Sequence, residues 1–431
     1  MKNRNWNIFD SQIKFENTIF CHLEFSLKHE KIDLLIIKSI LKECEIEEVV
    51  NYIKTKQTAI LKKKIWFLYE FLLEEIPIDD LPVGKYDNLL DSEKYFVRNN
   101  PIKSKRHKIN NNLLGNFDFC PIIIKTEKLS TYTQKNLSLE TSELIGKIPN
   151  AVMRRAASFL LLSDSKASFE IEGERVPKNR IVRWGKAINQ AGKEELSIAE
   201  ISRLHAILIQ DARFNKIGLR DEGVFLGERD RDGEPLPEFI GARDDDLKSL
   251  MESWLKLNKS LSEDGIDPVL QAVVIAFSFV YIHPLEDGNG RLHRYLLHHV
   301  LAQREFYPKG MIFPISNVIL EQLSIYRDVL VNHSSPLMES IEWKATKKGN
   351  VEVLNQTIDL YKFFDCTKAC EFIYSCVEKT IKETLPNELK YLESFDKTYE
   401  EIYDFIELPD NDIKQSGIKI FICLKNFIFI S

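Results

Sequence analysis

The stretch HPLEDGNGRLHR, residues 283–294, lies between two segments with helical patterns and decides how the surrounding chain folds. Residues 266–282 before it are apolar at nearly every position and contain Asp267-Pro268, an N-cap followed by proline at the first helical position. The proline and the Gly-Asn-Gly inside the stretch must end that helix. Residues 291–303 are again helical in pattern. The sequence therefore predicts a buried helix, a polar glycine loop and the start of a second helix.

The glycine loop has the features of an anion site. Free N–H groups at a helix start bind anions, aided by the helix dipole. Gly288 and Gly290 let the backbone approach a phosphate closely. Arg291 and Arg294 are three residues apart, so both guanidinium groups leave the first turn on neighbouring faces, and their planar forks suit phosphate oxygens.

Two more side chains of the loop point to phosphate transfer. Asp287 can hold Mg²⁺, which takes one or two carboxylates plus substrate phosphates. His283 is the group whose ordinary pKa suits a base near neutral pH. Alone, such a loop is more often a turn and such a histidine a core residue. Their joint occurrence favours a phosphate-transfer site, and the nearby histidines lack the cysteine or glutamate pattern of a zinc site.

The stretch closely resembles the signature of the Fic (filamentation-induced-by-cAMP) family, His-Pro-Phe-x-Asp/Glu-Gly-Asn-Gly-x-x-x-Arg with arginine also at the ninth place. The one departure is Leu285, where phenylalanine is usual, and this side chain is expected to anchor the loop in the core. We therefore predict an all-α protein, a Fic-type helical core with a small β-hairpin flap, flanked by N- and C-terminal helical regions. The predicted segments are 1–145, 146–195 with the inhibitory helix, 196–345 with the catalytic core, and 346–431.

The resemblance implies an enzyme that transfers AMP from ATP, with Mg²⁺, to a hydroxyl of a target protein. It implies that His283 deprotonates the hydroxyl and that Asp287 carries the metal. The loop amides would hold the α-phosphate, the two arginines the outer phosphates, and Tyr326 the base, although a core aromatic is nearly as good an interpretation of Tyr326. The nucleotide-binding residues implied are Asp287, Gly288, Asn289, Gly290, Arg291, Arg294 and Tyr326.

A second segment suggests regulation. Ser168 and Glu172 are four residues apart, hence on one face of a helix that Gly173 is expected to end. On their own they fit a capped, charged helix end. Beside the signature they resemble the family's inhibitory element, Ser/Thr-x-x-x-Glu-Gly/Asn, whose glutamate pairs with the second signature arginine and blocks productive ATP placement. The resemblance implies that Glu172 engages Arg294, with Ser168 supporting the helix.

Two short apolar runs around Asp232-Gly233 predict a β-hairpin. It resembles the family's flap, which clamps the target's hydroxyl-bearing segment by strand addition. A hairpin with a structural role only is the alternative. The residues assigned to the flap are Val224, Phe225, Leu226, Gly227, Phe239 and Ile240.

The composition of the chain limits which other classes of protein it can belong to. The 431 residues are 44% hydrophobic and 29% charged, ordinary for a globular protein of two or three domains. A formal charge of −6 does not support nucleic-acid binding. The seven scattered cysteines predict reduced core thiols. The N-terminus has no signal-peptide pattern and the apolar residues 418–430 are too few to span a bilayer, so we expect a cytoplasmic protein without membrane contact.

The partner expected is a target protein bearing a Ser, Thr or Tyr hydroxyl; self-modification and a homodimer stay open. Another nucleotide donor, or removal of AMP from a target, would use the same residues. The rival from a different class is a regulatory protein that binds ATP only as a ligand.

Overall fold

The computed structural model describes residues 16–147, 150–209 and 216–405. Helices dominate, as the sequence predicts, and the strands are short. The helices are α1 (Ile19–His29), α2 (Leu34–Lys42), α3 (Ile46–Lys54), α4 (Ile60–Leu72), α5 (Glu127–Thr133), α6 (Leu137–Gly146), α7 (Asn150–Ile171), α8 (Lys178–Ile188), α9 (Ile198–Leu208), α10 (Asp244–Asp264), α11 (Pro268–Ile282), α12 (Asn289–Gln303), α13 (Ile315–Glu321), α14 (Leu323–Met338), α15 (Ile358–Lys362), α16 (Thr367–Lys379) and α17 (Leu385–Phe405). A π-helical turn, Thr380–Thr384, joins α16 to α17. The strands are β1 (Asp87–Asn88), β2 (Ile102–Ser104), β3 (Ile109–Asn111), β4 (Phe225–Arg229), β5 (Pro235–Ile240), β6 (Trp343–Ala345) and β7 (Val351–Val353).

The chain forms two compact units, one up to Thr126 together with Ile358–Thr367, the other from Glu127 to Thr357 and from Lys368 onward. In the first unit, α4 supplies the core through the apolar side chains Ile65, Trp66, Leu68, Tyr69 and Leu72, all buried. Each such side chain contributes about 1.5–3 kcal/mol when fully buried. The four predicted segment boundaries stay predictions.

The rest of the first unit is less helical than the sequence pattern indicates. Between α4 and Thr126 the described chain has only the three strands β1–β3, in the order β1-β3-β2. Strand β1 runs parallel and β2 antiparallel to β3, with Asp87 opposite Ile109 and Lys103 opposite Asn110. Prolines recur in this segment and remove the N–H groups that a helix needs.

The second unit is built around α11. Its residues from Val269 to Ile282 are all buried, which explains why the sequence is apolar on every face. The predicted N-cap is confirmed, because the Asp267 side chain accepts hydrogen bonds from the N–H groups of Val269 (2.8 Å) and Leu270 (3.1 Å). Trp254 of α10 donates its indole N–H to the carbonyl of Ile275, 2.9 Å away. Helix α11 therefore presents its C-terminal end, and the glycine loop, on a rigid support.

The predicted hairpin is confirmed as β4–β5, with Phe225 opposite Ile240 and an irregular register between Leu226 and Gly227. Strands β6 and β7 form a second, shorter hairpin, and the next helix begins at Ile358. These strands have three residues each, too few for a period-2 pattern to stand out.

Other expectations concern chemistry and location. The cysteines in the described residues are free, and Cys366, Cys370 and Cys376 are buried. Across residues 16–147, 150–209 and 216–405, none of the helices has the length and apolarity that crossing a membrane requires. Part of the helix expected over residues 196–216 and the apolar run 418–430 lie outside the described residues.

Candidate active site

His283 stands at the junction of α11 and the glycine loop. It caps α11 with a left-handed backbone, φ 55°, which is uncommon for a residue with a side chain. Its ring is buried, and Nδ1 lies 3.2 Å from the carbonyl oxygen of Val280. Because a carbonyl only accepts hydrogen bonds, Nδ1 carries the proton and Nε2 keeps its lone pair.

Burial, with the nearby charge of Arg220 as the second cause, lowers the pKa of His283 to about 4. The hydrogen bond to Val280 and the charges of Glu172 and Asp287 act in the opposite direction with less effect. The imidazole is therefore neutral at physiological pH, the form that a general base requires.

The loop is held by one of its own side chains. Asn289 donates its amide N–H to the Leu285 carbonyl (2.8 Å), and its side-chain oxygen accepts from the Leu285 N–H (3.0 Å). Leu285 is fully buried, which confirms it as a core anchor. Gly288 takes φ 86° where α12 begins, a conformation that glycine adopts without strain. The side chain of Asn289 thus fixes the loop and leaves its backbone N–H at the helix start.

Glu172 lies against this helix start. A Cβ added at Gly290 would lie 2.1 Å from the Glu172 Oε1 atom, so only glycine leaves room for the carboxylate. Arg294 Nη2 lies 2.8 Å from the same oxygen. Arg294 also donates to the Ser168 hydroxyl (3.0 Å) and carbonyl (2.6 Å), so Ser168 contacts the arginine directly, besides lying in the helix. Gly173, with φ 74°, follows the end of α7.

A buried network holds α7 beside α12. His298 Nε2 lies 2.8 Å from Asp164 Oδ2, and the Ser316 hydroxyl donates to the same oxygen at 2.9 Å. All three side chains are at most 1% exposed. Asp164, Ser168 and Glu172 follow one another at intervals of four residues, about one helical turn. The network at Asp164 therefore fixes α7, and the end of α7 positions Glu172.

Arg291 is held by carboxylates on both sides. Its Nη1 lies 2.6 Å from Glu174 Oε1 and its Nη2 lies 2.7 Å from Asp287 Oδ1. Glu174 also faces Arg180, 3.3 Å away. The Phe169 ring contacts both guanidinium groups, with centroid distances of 5.5 Å to Arg291 and 5.1 Å to Arg180. Sequence reasoning missed Glu174, although its place two residues after Glu172 was a signal.

These groups face a cavity of about 490 Å³. The predicted base His283 lines it, together with the predicted nucleotide-binding residues Asp287, Gly288, Asn289, Gly290, Arg291 and Tyr326, whereas the predicted Arg294 does not. Glu172, Gly173 and Glu174, which follow the end of α7, also line it. A more apolar cavity of about 550 Å³ lies between the hairpin and α14, and the two share His283. The histidine therefore lines both a space walled by charged groups and a more apolar space.

Tyr326 is 4% exposed, and its hydroxyl lies 3.0 Å from His293 Nδ1. Burial raises its pKa to about 12. It lines the cavity while packing in the core, so both interpretations of this residue keep support from the structure.

The hairpin reaches the histidine through Phe239, whose ring centroid lies 5.5 Å from that of His283. Leu226 is exposed and lines both cavities. Ile240 is 1% exposed, so its side chain belongs to the core. Val224 accepts a hydrogen bond from the Gly241 N–H at 3.0 Å, just outside the paired strands. The remaining assigned residues, Phe225 and Gly227, lie in β4.

Asp287 is the residue available to a metal. Its side chain is 53% exposed, and Glu286 lines the same cavity. In the described parts of the chain, no group of three or more His, Cys, Asp or Glu is placed to hold a metal ion. A nucleotide-bound Mg²⁺ needs only one or two protein carboxylates, and this pair fits that requirement.

Arg220 is a second residue that sequence reasoning missed. It is 3% exposed and donates hydrogen bonds to the carbonyls of His283 (2.8 Å), Glu222 (2.7 Å) and Ala242. Its only sequence signal is a position just before the predicted hairpin.

Comparisons with known proteins match the part of the chain that contains this site. Residues 195–301 match the family model described as "Fic/DOC family", which includes the hairpin and the glycine loop. The chain is 30% identical over 123 residues to a protein named "Protein adenylyltransferase fic-1" from Caenorhabditis elegans, covering 28% of this chain and 22% of that protein. The protein of that name from Caenorhabditis briggsae is 29% identical over 125 residues, with the same coverage. The matched region thus spans about a fifth of these curated relatives.

Two solved structures are also similar. A Fic domain containing signaling protein from Bacteroides thetaiotaomicron has 19% identity and a TM-score of 0.41, over 62% of this chain and 97% of that one. A Fic family protein from Desulfovibrio desulfuricans has 18% identity and a TM-score of 0.44, over 70% and 86%.

Proposed function

We propose that this chain, which belongs to the Fic/DOC family through residues 195–301, transfers AMP from ATP to a hydroxyl side chain of a target protein. The observation that carries the proposal is the position of His283 between the two cavities. One cavity offers glycines, a helix start and arginines to a triphosphate, and the other offers the hairpin to a polypeptide.

The chain's own groups account for the binding of ATP. The start of α12 lies at residues that line the cavity, Gly288, Asn289 and Gly290, and the N–H groups of such a helix start suit the α-phosphate. Arg291 and Arg294 suit the outer phosphates, where forked donors neutralise the charge that develops on the leaving pyrophosphate. Asp287, with Glu286, would hold Mg²⁺, which would neutralise phosphate charge.

The chemistry is an in-line displacement. The target's hydroxyl oxygen forms a bond to the α-phosphorus, the bond from that phosphorus to the β-phosphate oxygen breaks, and pyrophosphate leaves. The hydroxyl proton passes to Nε2 of His283, whose lone pair is free because Nδ1 is bonded to Val280. Such a transfer depends on positioning and charge stabilisation more than on covalent catalysis by the protein.

The same site supports self-inhibition. Glu172 pairs with Arg294 and lies against Gly290, where the phosphates would bind. A triphosphate must displace this carboxylate or bind in another pose. We propose that the chain is inactive until Glu172 moves and that the target's Ser, Thr or Tyr segment then docks along the hairpin. Self-modification is an outcome of the same chemistry.

The experiment compares ATP labelled at the α-phosphate with ATP labelled at the γ-phosphate, using the Glu172→Gly variant and cell lysate. AMP transfer puts only the α-label on protein. Label from the γ-phosphate would indicate a kinase instead, and binding of ATP with neither label incorporated would favour the regulatory protein that uses ATP as a ligand. His283→Ala is the matched control, since it alters the base and no phosphate contact.

A further inference from the structure

Arg220 joins the catalytic histidine to both ends of the hairpin. Its guanidinium donates to the carbonyl of His283 and to those of Glu222, just before β4, and Ala242, just after β5. Its own backbone N–H donates to the carbonyl of Pro284 at 3.0 Å. The buried guanidinium and backbone of Arg220 thus contact the catalytic histidine, the glycine loop and both ends of the hairpin.

The junction has no spare room. A Cβ added at Gly241 would lie 3.0 Å from the Cβ of His283, 3.1 Å from Nη2 of Arg220 and 2.7 Å from Cγ1 of Val224. Movement of the hairpin base therefore reaches the histidine through direct contacts.

His283 needs such support because its left-handed backbone is strained, and surrounding contacts must maintain it. The direction of the imidazole depends on that backbone. We propose that Arg220 is a positioning residue that holds His283 and the two ends of the hairpin in one register, so that base and target segment meet correctly. This role rests on the proposed AMP transfer.

The charge of Arg220 supports the same role. After burial, it is the second cause that lowers the pKa of His283, while Glu172 and Asp287 across the cavity raise it. A positive charge beside the ring keeps it unprotonated and ready to accept a proton.

Two variants, both made in the Glu172→Gly background, separate the hydrogen-bonding geometry of the Arg220 guanidinium from its positive charge. Arg220→Lys keeps the charge but cannot donate to three carbonyls in the same geometry. Arg220→Met loses both. We expect kcat to fall about 10²-fold in each, because a displacement of about 1 Å has that effect, while the Kd for ATP stays unchanged. The acidic limb of the pH–rate profile should move to higher pH only in Arg220→Met.

Arg203→Met is the matched control. Arg203 pairs with Glu200 within α9 at 2.6 Å and lines neither of the two cavities. The control variant should leave kcat and the acidic limb of the pH–rate profile unchanged. Gly241→Ala keeps Arg220 and crowds the junction, so it should lower kcat without moving the limb. This variant decides the matter if Arg220 variants fold poorly.

Unchanged kcat and pH profile in Arg220→Lys, Arg220→Met and Gly241→Ala would overturn the role of Arg220 and leave the proposed function intact. Absence of transfer in the Glu172→Gly parent itself would overturn the proposed function and this role with it.

A separate observation concerns Arg291, which is 2% exposed and paired with Glu174 at 2.6 Å. Glu174 has a second cation within reach, Arg180, at 3.3 Å. We infer that Glu174 is a second lock, which holds Arg291 away from phosphates and stays with Arg180 when ATP takes Arg291. This rests on the proposed function and is independent of Glu172, which acts on Arg294.

The test measures ATP affinity and transfer in Glu172→Gly, Glu174→Gln and the double variant. Loss of a partly exposed ion pair predicts about fivefold tighter ATP binding and faster transfer in the double variant than in Glu172→Gly. Arg180→Met removes the alternative partner and should weaken ATP binding. If Glu174→Gln instead weakens ATP binding in the Glu172→Gly background, Glu174 orients Arg291 and the lock is overturned. Failure of Glu172→Gly to transfer AMP at all would overturn the proposed function first.

Discussion

Each unit of the protein contains a cluster in which arginine meets carboxylate below the surface, and the two clusters differ in what surrounds them. In the first unit, Glu70 accepts from the Trp66 indole (2.8 Å) and from Arg106 (3.0 Å), and His107 Nε2 lies 2.9 Å away. Burial raises the pKa of Glu70, but hydrogen bonds from His107, Arg106 and Trp66 outweigh it and lower the pKa to about 2.

In the second unit, Arg291 meets Glu174 at the wall of a cavity of about 490 Å³, and Arg294 meets Glu172, which lines the same cavity. Arg294 Nη1 and Arg291 Nε are buried and lack a hydrogen-bond partner within the described part of the chain. A buried donor left unpaired costs about 1–3 kcal/mol. A cavity with space for an anion, more than the ion pairs, distinguishes a site from a structural cluster.

The largest effect is expected at His283, where a substitution should remove the chemical step and leave ATP binding intact. His283 lies beside the second cluster and is part of none of its ion pairs. In the Glu172→Gly background, His283→Ala should lower AMP transfer about 10²–10⁴-fold and leave the Kd for ATP unchanged, because a general base acts on the hydroxyl. Label incorporation and ATP titration measure the two. Wild-type labelling in the alanine variant would remove His283 from the role of base.

Removing an arginine from the second cluster should lower the rate of AMP transfer far more than the free energy of unfolding. We expect Arg294→Ala to be inactive alone and to remain inactive with Glu172→Gly, a loss of about 10²–10³-fold, because relief of inhibition requires an arginine to release. Transfer assays on both variants measure this. Recovery of activity in the double variant would show that Arg294 serves only to hold Glu172.

The first cluster should respond in the opposite way. Glu70→Gln leaves Arg106 with a weaker set of partners and should lower the free energy of unfolding by about 2–3 kcal/mol, with ATP binding unchanged. The folded pKa of Glu70 is below its unfolded value of about 4.3, so its contribution is full above that pH and is lost as pH falls through about 2. Urea unfolding at pH 7 and at pH 2–3 should show the difference between variant and wild type shrinking in acid. A constant difference, or altered ATP affinity, would contradict the structural role.

A smaller effect is expected at the metal. Asp287→Ala should weaken Mg²⁺-dependent ATP binding about tenfold, because Glu286 remains as the other carboxylate of the glycine loop. Titration of ATP with Mg²⁺ and with EDTA measures the dependence. Equal affinity and transfer under both conditions would remove the metal assignment.

The contrast between the clusters also marks how far the sequence could be interpreted. The N-cap at Asp267 and the pairing of Glu172 with Arg294 were foreseen, the first because its partners are adjacent in sequence, the second because a motif linked two distant segments. Arg220 was missed because its partners are set by tertiary packing, which no local spacing encodes. Glu174 was missed because its place beside Glu172 is a signal of position only, while its partner Arg291 lies in a distant segment. Strands β1–β3 and β6–β7 were missed because two or three residues carry no period.

Self-inhibition by Glu172 is tested by the rate of AMP transfer by Glu172→Gly relative to wild type at saturating ATP and Mg²⁺. Glu170→Gly is the matched control, since Glu170 lies two residues away and pairs with Lys166 on the outer face of α7. We expect Glu172→Gly to label faster than wild type. Its Tm should be lower than that of wild type without nucleotide, and ATP should raise its Tm by more. Glu170→Gly should label at the wild-type rate. Labelling by Glu172→Gly no faster than by wild type would contradict self-inhibition, and Glu172 would then be an ordinary carboxylate at a helix end.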